Sequence, residues 1–263
     1  MNLFEAIVLG IIQGLTEFLP VSSSGHLELG KYLFGIDHEA NFYFSIAVHG
    51  ATVLSTVFVL WREIAGLFKG LFAFRMNDET RYVIKLFISM IPVGISGLFM
   101  SQIATRFFAG NMISLGIEFF ISALFLGLTL IIRPRERGMT YLDSFIIGLA
   151  QALAVLPGIS RSGATIATGM MLGNRKSDIA KFSFLMVLVP VIGANILEMS
   201  SGDFTREGTS LIVILAGFLT ALISGYLACK WMISIVKRGS LKWFALYCVL
   251  VGIYSLLLGL HVF

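Results

Sequence analysis

The stretch Leu19-Pro20-Val21-Ser22-Ser23-Ser24-Gly25 interrupts one apolar segment, 3–36, and Pro157-Gly158-Ile159-Ser160-Arg161-Ser162-Gly163 interrupts another, 143–173. Proline, glycine and clustered serine break helices. Each apolar piece beside a break is shorter than the roughly 20 residues that cross a hydrocarbon core of about 30 Å. The pattern predicts two re-entrant helix–loop–helix segments.

The remainder of the chain is apolar enough to surround them with lipid-spanning helices. It is 57% apolar and 13% charged, against about 25% charged in a soluble domain. Residues 40–61, 86–105, 208–229 and 243–263 hold no Asp, Glu, Lys or Arg, and 107–132 holds only Glu118. The expected fold is an all-α polytopic membrane protein. It has six transmembrane helices, at about 41–61, 82–101, 110–132, 179–199, 210–232 and 243–262, plus the two re-entrant segments, in one membrane domain 1–263. The start MNLFEAIVLG carries Glu5 and no basic leader, so the first apolar segment is expected to stay rather than be cleaved. Cys229 and Cys248 fall in apolar runs and read as packing residues without a disulfide or metal pattern. The net charge of +4 comes from basic residues in short loops, which argues against a nucleic-acid partner.

The two broken segments resemble each other. A shift of 138 residues aligns them without a gap, matching Glu5 with Asp143, Gly10 with Gly148, Gln13 with Gln151, Leu15 with Leu153, Ser22 with Ser160, Ser24 with Ser162 and Gly25 with Gly163. Broken segments at corresponding positions mark a duplicated architecture. Three spans follow each, so each copy crosses the membrane an odd number of times and successive copies are inverted. Repeat one is about 1–137 and repeat two about 138–263.

Charge placement tests this independently. With 62–81 cytoplasmic, 133–142, 174–181 and 233–242 are cytoplasmic as well, and these loops hold 13 of the 19 Lys and Arg residues. The opposite side holds Lys31, Arg106 and Arg206, while Lys85 and Lys230 end spans on the basic side. That is the positive-inside imbalance, and it places both termini outside. Arg161 alone is left at membrane depth.

In this topology the breaks meet near the midplane, where irregular backbone is tolerated only inside protein or along a wet cavity. A cation there costs roughly 3 kcal/mol on insertion scales, so Arg161 needs an anionic partner, either a substrate or Glu17. Ser-Ser-Gly and Arg-Ser-Gly each open a return helix, and Ser is a good N-cap. Two helix N-termini facing one cavity suit phosphate; Ser22, Ser24, Gly25, Ser160, Ser162, Gly163 and Thr165, with Gln13, are the candidate substrate contacts. Gln13 and Glu17 share one helix face. Glu17 can bind a divalent cation, orient a histidine or balance Arg161. Ser23 beside His26 is a minimal nucleophile–base pair. The repeats are chemically unequal, since Glu17, Ser23 and His26 match Val155, Arg161 and Ala164. A reactive half and a cationic half suit an enzyme acting on an anionic substrate. His49, Glu118 and Asn195 are expected to hydrogen-bond neighbouring helices. Asp37, His38 and Glu39 read as a solvated outer loop, and His261 as interfacial. Gly10 and Gly14 are spaced for close helix contact.

The motifs Q-G-L-T-E-F-L-P-V-S-S-S-G-H at 13–26 and L-P-G-I-S-R-S-G-A-T at 156–165 resemble those of the bacitracin-resistance (BacA/UppP) family of undecaprenyl-diphosphate phosphatases. The resemblance covers nearly the whole chain. The family admits Glu or Gln at the first motif's first position; Gln13 here leaves Glu17 as the single carboxylate. The triple serine departs from forms with Thr in third place. The resemblance implies hydrolysis of undecaprenyl diphosphate to the monophosphate and inorganic phosphate, recycling the cell-wall lipid carrier and countering bacitracin. It implies a divalent cation, Mg²⁺ or Ca²⁺, near Glu17, and a multi-pass protein of the bacterial inner membrane whose site opens outward. Ser23 is then expected to attack the terminal phosphorus, with His26 as its base and Arg161 holding the diphosphate. Direct attack by water is the variant of that mechanism, and the sequence leaves a homodimer open. The alternative function is a transporter or flippase for a lipid phosphate, which an inverted repeat also suits.

Overall fold

The structure, a computed structural model, describes residues 1–36, 42–108, 111–131, 135–156, 158–201, 210–238 and 241–260. Of the positions singled out above, Asp37, His38, Glu39, Pro157, Arg206 and His261 lie outside these residues, and so does the side chain of Arg106. Eleven helices are formed among the described residues: α1 Leu3–Phe18, α2 Ser23–Phe34, α3 Phe42–Val59, α4 Trp61–Leu71, α5 Asp78–Phe108, α6 Met112–Leu128, α7 Tyr141–Leu153, α8 Arg161–Met171, α9 Lys176–Ser201, α10 Leu211–Arg238 and α11 Lys242–Gly259.

Local chemistry sets the two breaks. A capping box starts α1, with Glu5 N–H donating to Asn2 Oδ1 at 2.9 Å and Asn2 N–H to Glu5 Oε2 at 2.8 Å. The same box starts α7, where Asp143 and Thr140 exchange bonds of 2.7 and 3.1 Å. Arg137 adds a two-pronged contact to Asp143 at 2.6 and 2.7 Å. Burial pushes the Asp143 carboxyl up, but Arg137 and Thr140 outweigh it and hold the group below the ordinary carboxylate range. Both return helices begin on a serine cap: Ser22 Oγ accepts from Gly25 N–H at 3.1 Å, and Ser160 Oγ from Gly163 N–H at 3.0 Å.

The helices' outer faces are apolar. Along α10, Leu211, Leu215, Leu219, Ile223, Leu227 and Trp231 recur every fourth residue and are all exposed. At 1.5 Å per residue this stripe is about 30 Å long, the thickness of a bilayer's hydrocarbon core. Water-soluble monomers rarely present such a surface. The opposite face of α10 carries Gly217, Ala221, Ser224, Gly225 and Ala228, buried in the protein. Among the described residues, Lys176–Leu197, Leu211–Arg238 and Lys242–Gly259 are each long and apolar enough to cross a membrane, and α3 with α4 qualifies as a bent pair. The chain is thus an all-helical polytopic membrane protein.

Packing exchanges the two halves. The first-half helix α1 lies mainly along α10, and the second-half helix α7 along α5; α6 and α11 form a further close pair. Gly10 on α1 sits against the Gly217 backbone of α10, one turn before Gly14 meets Ala221 and Gly225, and Gly148 on α7 sits against the Ser89 backbone of α5. The glycines matched by the 138-residue shift therefore do matched work: they let a broken helix approach its neighbour's backbone.

One element differs from the sequence reading. Residues 61–71 lie largely in the stretch taken as the loop 62–81, yet they form α4, turned 73° from α3. Trp61, Ile64, Leu67, Phe68 and Leu71 recur at helical spacing, and that period drives the turn.

Candidate active site

The break after α1 and the break before α8 are in direct contact. Ser162 Oγ donates to Leu19 O at 3.2 Å, and Gly158 N–H donates to Ser24 Oγ at 3.0 Å. Ser160 N–H donates to Ser122 Oγ of α6 at 3.0 Å. Gly158 has φ +86, and a Cβ there would overlap the buried Glu118 carboxylate, so only glycine fits. Glu118 thus packs against the second break rather than simply joining two spans.

Glu17 is the hub. Its Oε1 accepts from Arg161 Nη2 at 2.6 Å, and its Oε2 accepts from Ser23 Oγ at 2.6 Å and from Gln13 Nε2 at 2.9 Å. The Glu17 side chain is 12% exposed and that of Arg161 28%. Of the two expected partners for Arg161, the protein provides Glu17. Helix geometry explains the cluster: Gln13 and Glu17 are one turn apart on α1, while Ser23 and Arg161 are the first residues of α2 and α8.

The structure gives Ser23 and His26, the nucleophile and base expected above, separate partners. Ser23 donates to Glu17, whereas both ring nitrogens of His26 are engaged elsewhere. Nδ1 meets Ser22 O at 2.7 Å and Nε2 meets Tyr247 Oη at 2.7 Å. The imidazole stacks on Tyr247 and sits edge-on to Phe119. Bonding back to the carbonyl one turn earlier draws the ring toward α6 and α11, away from the cluster. Ser22, Gly25, Ser160 and Gly163 form the two caps, and Ser24 and Ser162 join the breaks. Thr165 lies one turn into α8, 2.6 Å from Ser183 Oγ of α9.

A cavity opens beside Glu17 and Arg161. Its polar lining adds Thr52 and Thr56 from α3, Gln151 from α7 and Ser183 from α9. The sequence reading did not include these four in the site. Three of them carried a signal: Thr52 and Thr56 are polar residues one turn apart on a span, and Gln151 is the repeat counterpart of Gln13. Gln151 is 1% exposed and its Oε1 has no hydrogen-bond partner. A buried acceptor left open beside a cation is poised for a ligand's hydroxyl.

Gln13 Oε1 is likewise buried and unpartnered, next to Glu17. An amide oxygen and a carboxylate are hard oxygen donors of the kind Mg²⁺ and Ca²⁺ take. Among the described residues no group of three His, Cys, Asp or Glu side chains gathers. The donors present therefore fit a cation whose remaining ligands are water and substrate phosphate.

Comparison with known proteins gives the family. The family model described as bacitracin resistance protein BacA matches residues 6–254. An undecaprenyl-diphosphatase of Bacteroides fragilis is 50% identical over 263 residues, spanning 98% of this chain and 99% of that protein. One of Bacteroides thetaiotaomicron is 51% identical over 257 residues, spanning 96% and 97%. The relative from Carboxydothermus hydrogenoformans, with the same name, is 36% identical over 264 residues, spanning 98% of each. With its broken helices, its Glu17–Ser23–Arg161 cluster and a match along nearly its whole length, the chain belongs to the bacitracin resistance protein BacA family.

Proposed function

We propose that this chain is an integral-membrane undecaprenyl-diphosphatase. It hydrolyses undecaprenyl diphosphate to undecaprenyl phosphate and inorganic phosphate, recycling the carrier lipid of cell-wall synthesis and conferring bacitracin resistance. The observation that carries the reading is Ser23 Oγ at 2.6 Å from a carboxylate that Arg161 also holds at 2.6 Å, where two helix N-termini meet.

Arg161 and the first-turn N–H groups of α2 and α8 receive the diphosphate, with Gln151 and Thr165 beside it. Ser23 Oγ attacks the terminal phosphorus while its proton passes to Glu17. The P–O bond to undecaprenyl phosphate breaks, and that product leaves with the bridging oxygen and the proton that Glu17 has just accepted. Glu17, again ionised, takes a proton from water as the water attacks the phosphoserine; the Ser23 Oγ–P bond breaks, Glu17 returns that proton to Ser23 Oγ, and phosphate is released. Gln13 and Glu17 would hold the divalent cation, Mg²⁺ or Ca²⁺, which supplies charge neutralisation on the phosphoryl oxygens.

The finer topology belongs to the same proposal. The six spans are α3, α5, α6, α9, α10 and α11; α1–α2 and α7–α8 are the re-entrant pairs; and repeats 1–137 and 138–263 are inverted. Matched capping boxes, matched serine caps and the exchanged packing of α1 and α7 support it. The protein then sits in the bacterial inner membrane with its site opening outward. The exposed apolar faces of the helices support a lipid partner rather than a nucleic acid.

The test is phosphate release from undecaprenyl diphosphate by purified protein in detergent, with and without Mg²⁺ or Ca²⁺. Wild type is expected to release phosphate when supplied with metal. Glu17→Gln and Ser23→Ala should lose about 100-fold or more, and a phosphoserine at position 23 should be trapped in a slow-turnover variant. His26→Ala leaves the Ser23–Glu17 pair in place and should cost less. No release by folded wild type overturns the enzyme reading and turns the assay to lipid translocation.

A further inference from the structure

Helix α4 has no buried residue of its own, yet its pose is fixed. Ile64 and Leu67 pack on the core, Glu63 meets Lys181 of α9 at 2.5 Å, and Asn77 Nδ2 donates to Gly70 O at 2.9 Å. What the helix presents outward is sharply divided. Trp61, Ala65, Phe68 and Phe72 fall on one stripe at helical spacing, and the three aromatic residues are exposed. Arg62 and Lys69 flank that stripe on one edge, both exposed, and Arg75 follows the helix.

The turn after α4 extends the apolar face. Phe74 adopts φ +49, a region a bulky side chain rarely enters, and it is 89% exposed. The unusual backbone places its ring outward, 6.5 Å from that of Phe72. An apolar stripe this exposed needs acyl chains against it.

The charges select among lipids. Glu63 is offset by Lys181, and Asp78 lies 3.9 Å from Arg81. Glu79 packs at Gly70, on the side of α4 opposite the aromatic stripe. Arg62, Lys69 and Arg75 are therefore the charges bordering the apolar face. A polybasic edge on an amphipathic helix draws anionic headgroups out of a mixed leaflet, and a zwitterionic headgroup offers no net charge to hold.

We propose that α4 and the turn behind it form an anionic-phospholipid site. Trp61, Phe68, Phe72 and Phe74 enter the acyl region, and Arg62, Lys69 and Arg75 hold the negatively charged headgroups. This site is separate from the cavity at Arg161 and does not depend on the reaction assigned there.

Fluorescence quenching tests it. Of the chain's three tryptophans, Trp231→Phe with Trp243→Phe leaves only Trp61. That protein is reconstituted into mixed phosphatidylglycerol–phosphatidylcholine vesicles with brominated acyl chains on one lipid or the other. Brominated phosphatidylglycerol should quench Trp61 at least about twofold more than the same fraction of brominated phosphatidylcholine. The excess should vanish at about 0.5 M salt, where surface charge is screened, and in Arg62→Gln/Lys69→Gln/Arg75→Gln. The salt arm needs no variant of the basic residues, so a folding defect in the triple change leaves the test intact. Equal quenching by both lipids overturns the headgroup preference. Absence of quenching by either overturns the site itself, because α4 would then face water or protein.

Discussion

Replacing Gly14 by alanine should damage both stability and activity, and the structure sets the size of the effect. A Cβ at Gly14 would overlap Ser224 Oγ and lie 2.5 Å from Ala221 O and 2.7 Å from Gly225 N. Two of these neighbours are backbone atoms of α10 and have no rotamer to yield. Restoring ordinary contact requires the helices to part by about 1 Å, and such overpacking costs about 1–3 kcal/mol. Alanine returns about 1 kcal/mol of helix propensity, so the net loss is roughly 0–2 kcal/mol. The larger consequence is positional. Helix α1 carries Gln13 and Glu17 on its last turns, and Glu17 must stay within 2.6 Å of both Ser23 and Arg161. Misplacing a catalytic group by about 1 Å can cost about 100-fold in rate. The assay pairs thermal inactivation in detergent with steady-state phosphate release. Gly127→Ala is the control, because a Cβ there meets nothing within 4 Å. If Gly14→Ala matches Gly127→Ala in both measurements, the close approach of α1 and α10 does not position the site and the reasoning fails.

Arg161→Ala should lower phosphate release by about 100-fold or more and also destabilise the protein in thermal inactivation, because the mostly buried Glu17 is left without its charge partner; Arg161→Lys should recover part of the stability but less of the activity. Gln151→Leu should leave thermal stability equal or improved, since it removes an unpartnered buried oxygen, while KM rises about tenfold; an unchanged KM would remove Gln151 from the substrate contacts. Asp143→Asn should lower thermal stability at neutral pH. The folded carboxyl is held below its unfolded value of about 3.9, so its contribution is present above that pH and lost as pH falls through the folded value. The wild-type advantage should therefore close only in acid, and a constant difference across pH would refute the ionic origin.

Helix positions were legible in the sequence because each is enforced locally. The segments 3–36 and 143–173 contain helix breakers at matching positions, and the serines expected to cap the return helices do so at Ser22 and Ser160. Helix α4 was harder to read, because its Arg62, Glu63 and Lys69 resemble a solvated loop while its stabilising contacts to α9 lie more than 100 residues away. The site was legible at Glu17, Ser23 and Arg161 for a different reason. Charged and polar groups in an apolar segment need partners, so their presence alone demanded a cluster. The walls were not, since a threonine in a span reads equally well as a bond to its own helix, and Thr56 does make one, to Thr52 O at 3.1 Å.

The sequence by itself determined a polytopic helical protein with two broken helices and the polar residues that gather at its breaks. Those properties follow from the cost of unpaired polar groups in hydrocarbon and from the backbone limits of proline, glycine and serine, and both act within a few residues. Only the tertiary structure decided that Glu17 rather than His26 faces Ser23, that Gln151, Thr52, Thr56 and Ser183 complete the cavity, and that α4 turns away from α3. Each of these depends on which helix backbones approach closely. That choice is made by glycine contacts between distant segments, where Gly14 meets α10 and Gly148 meets α5, and no local rule specifies it.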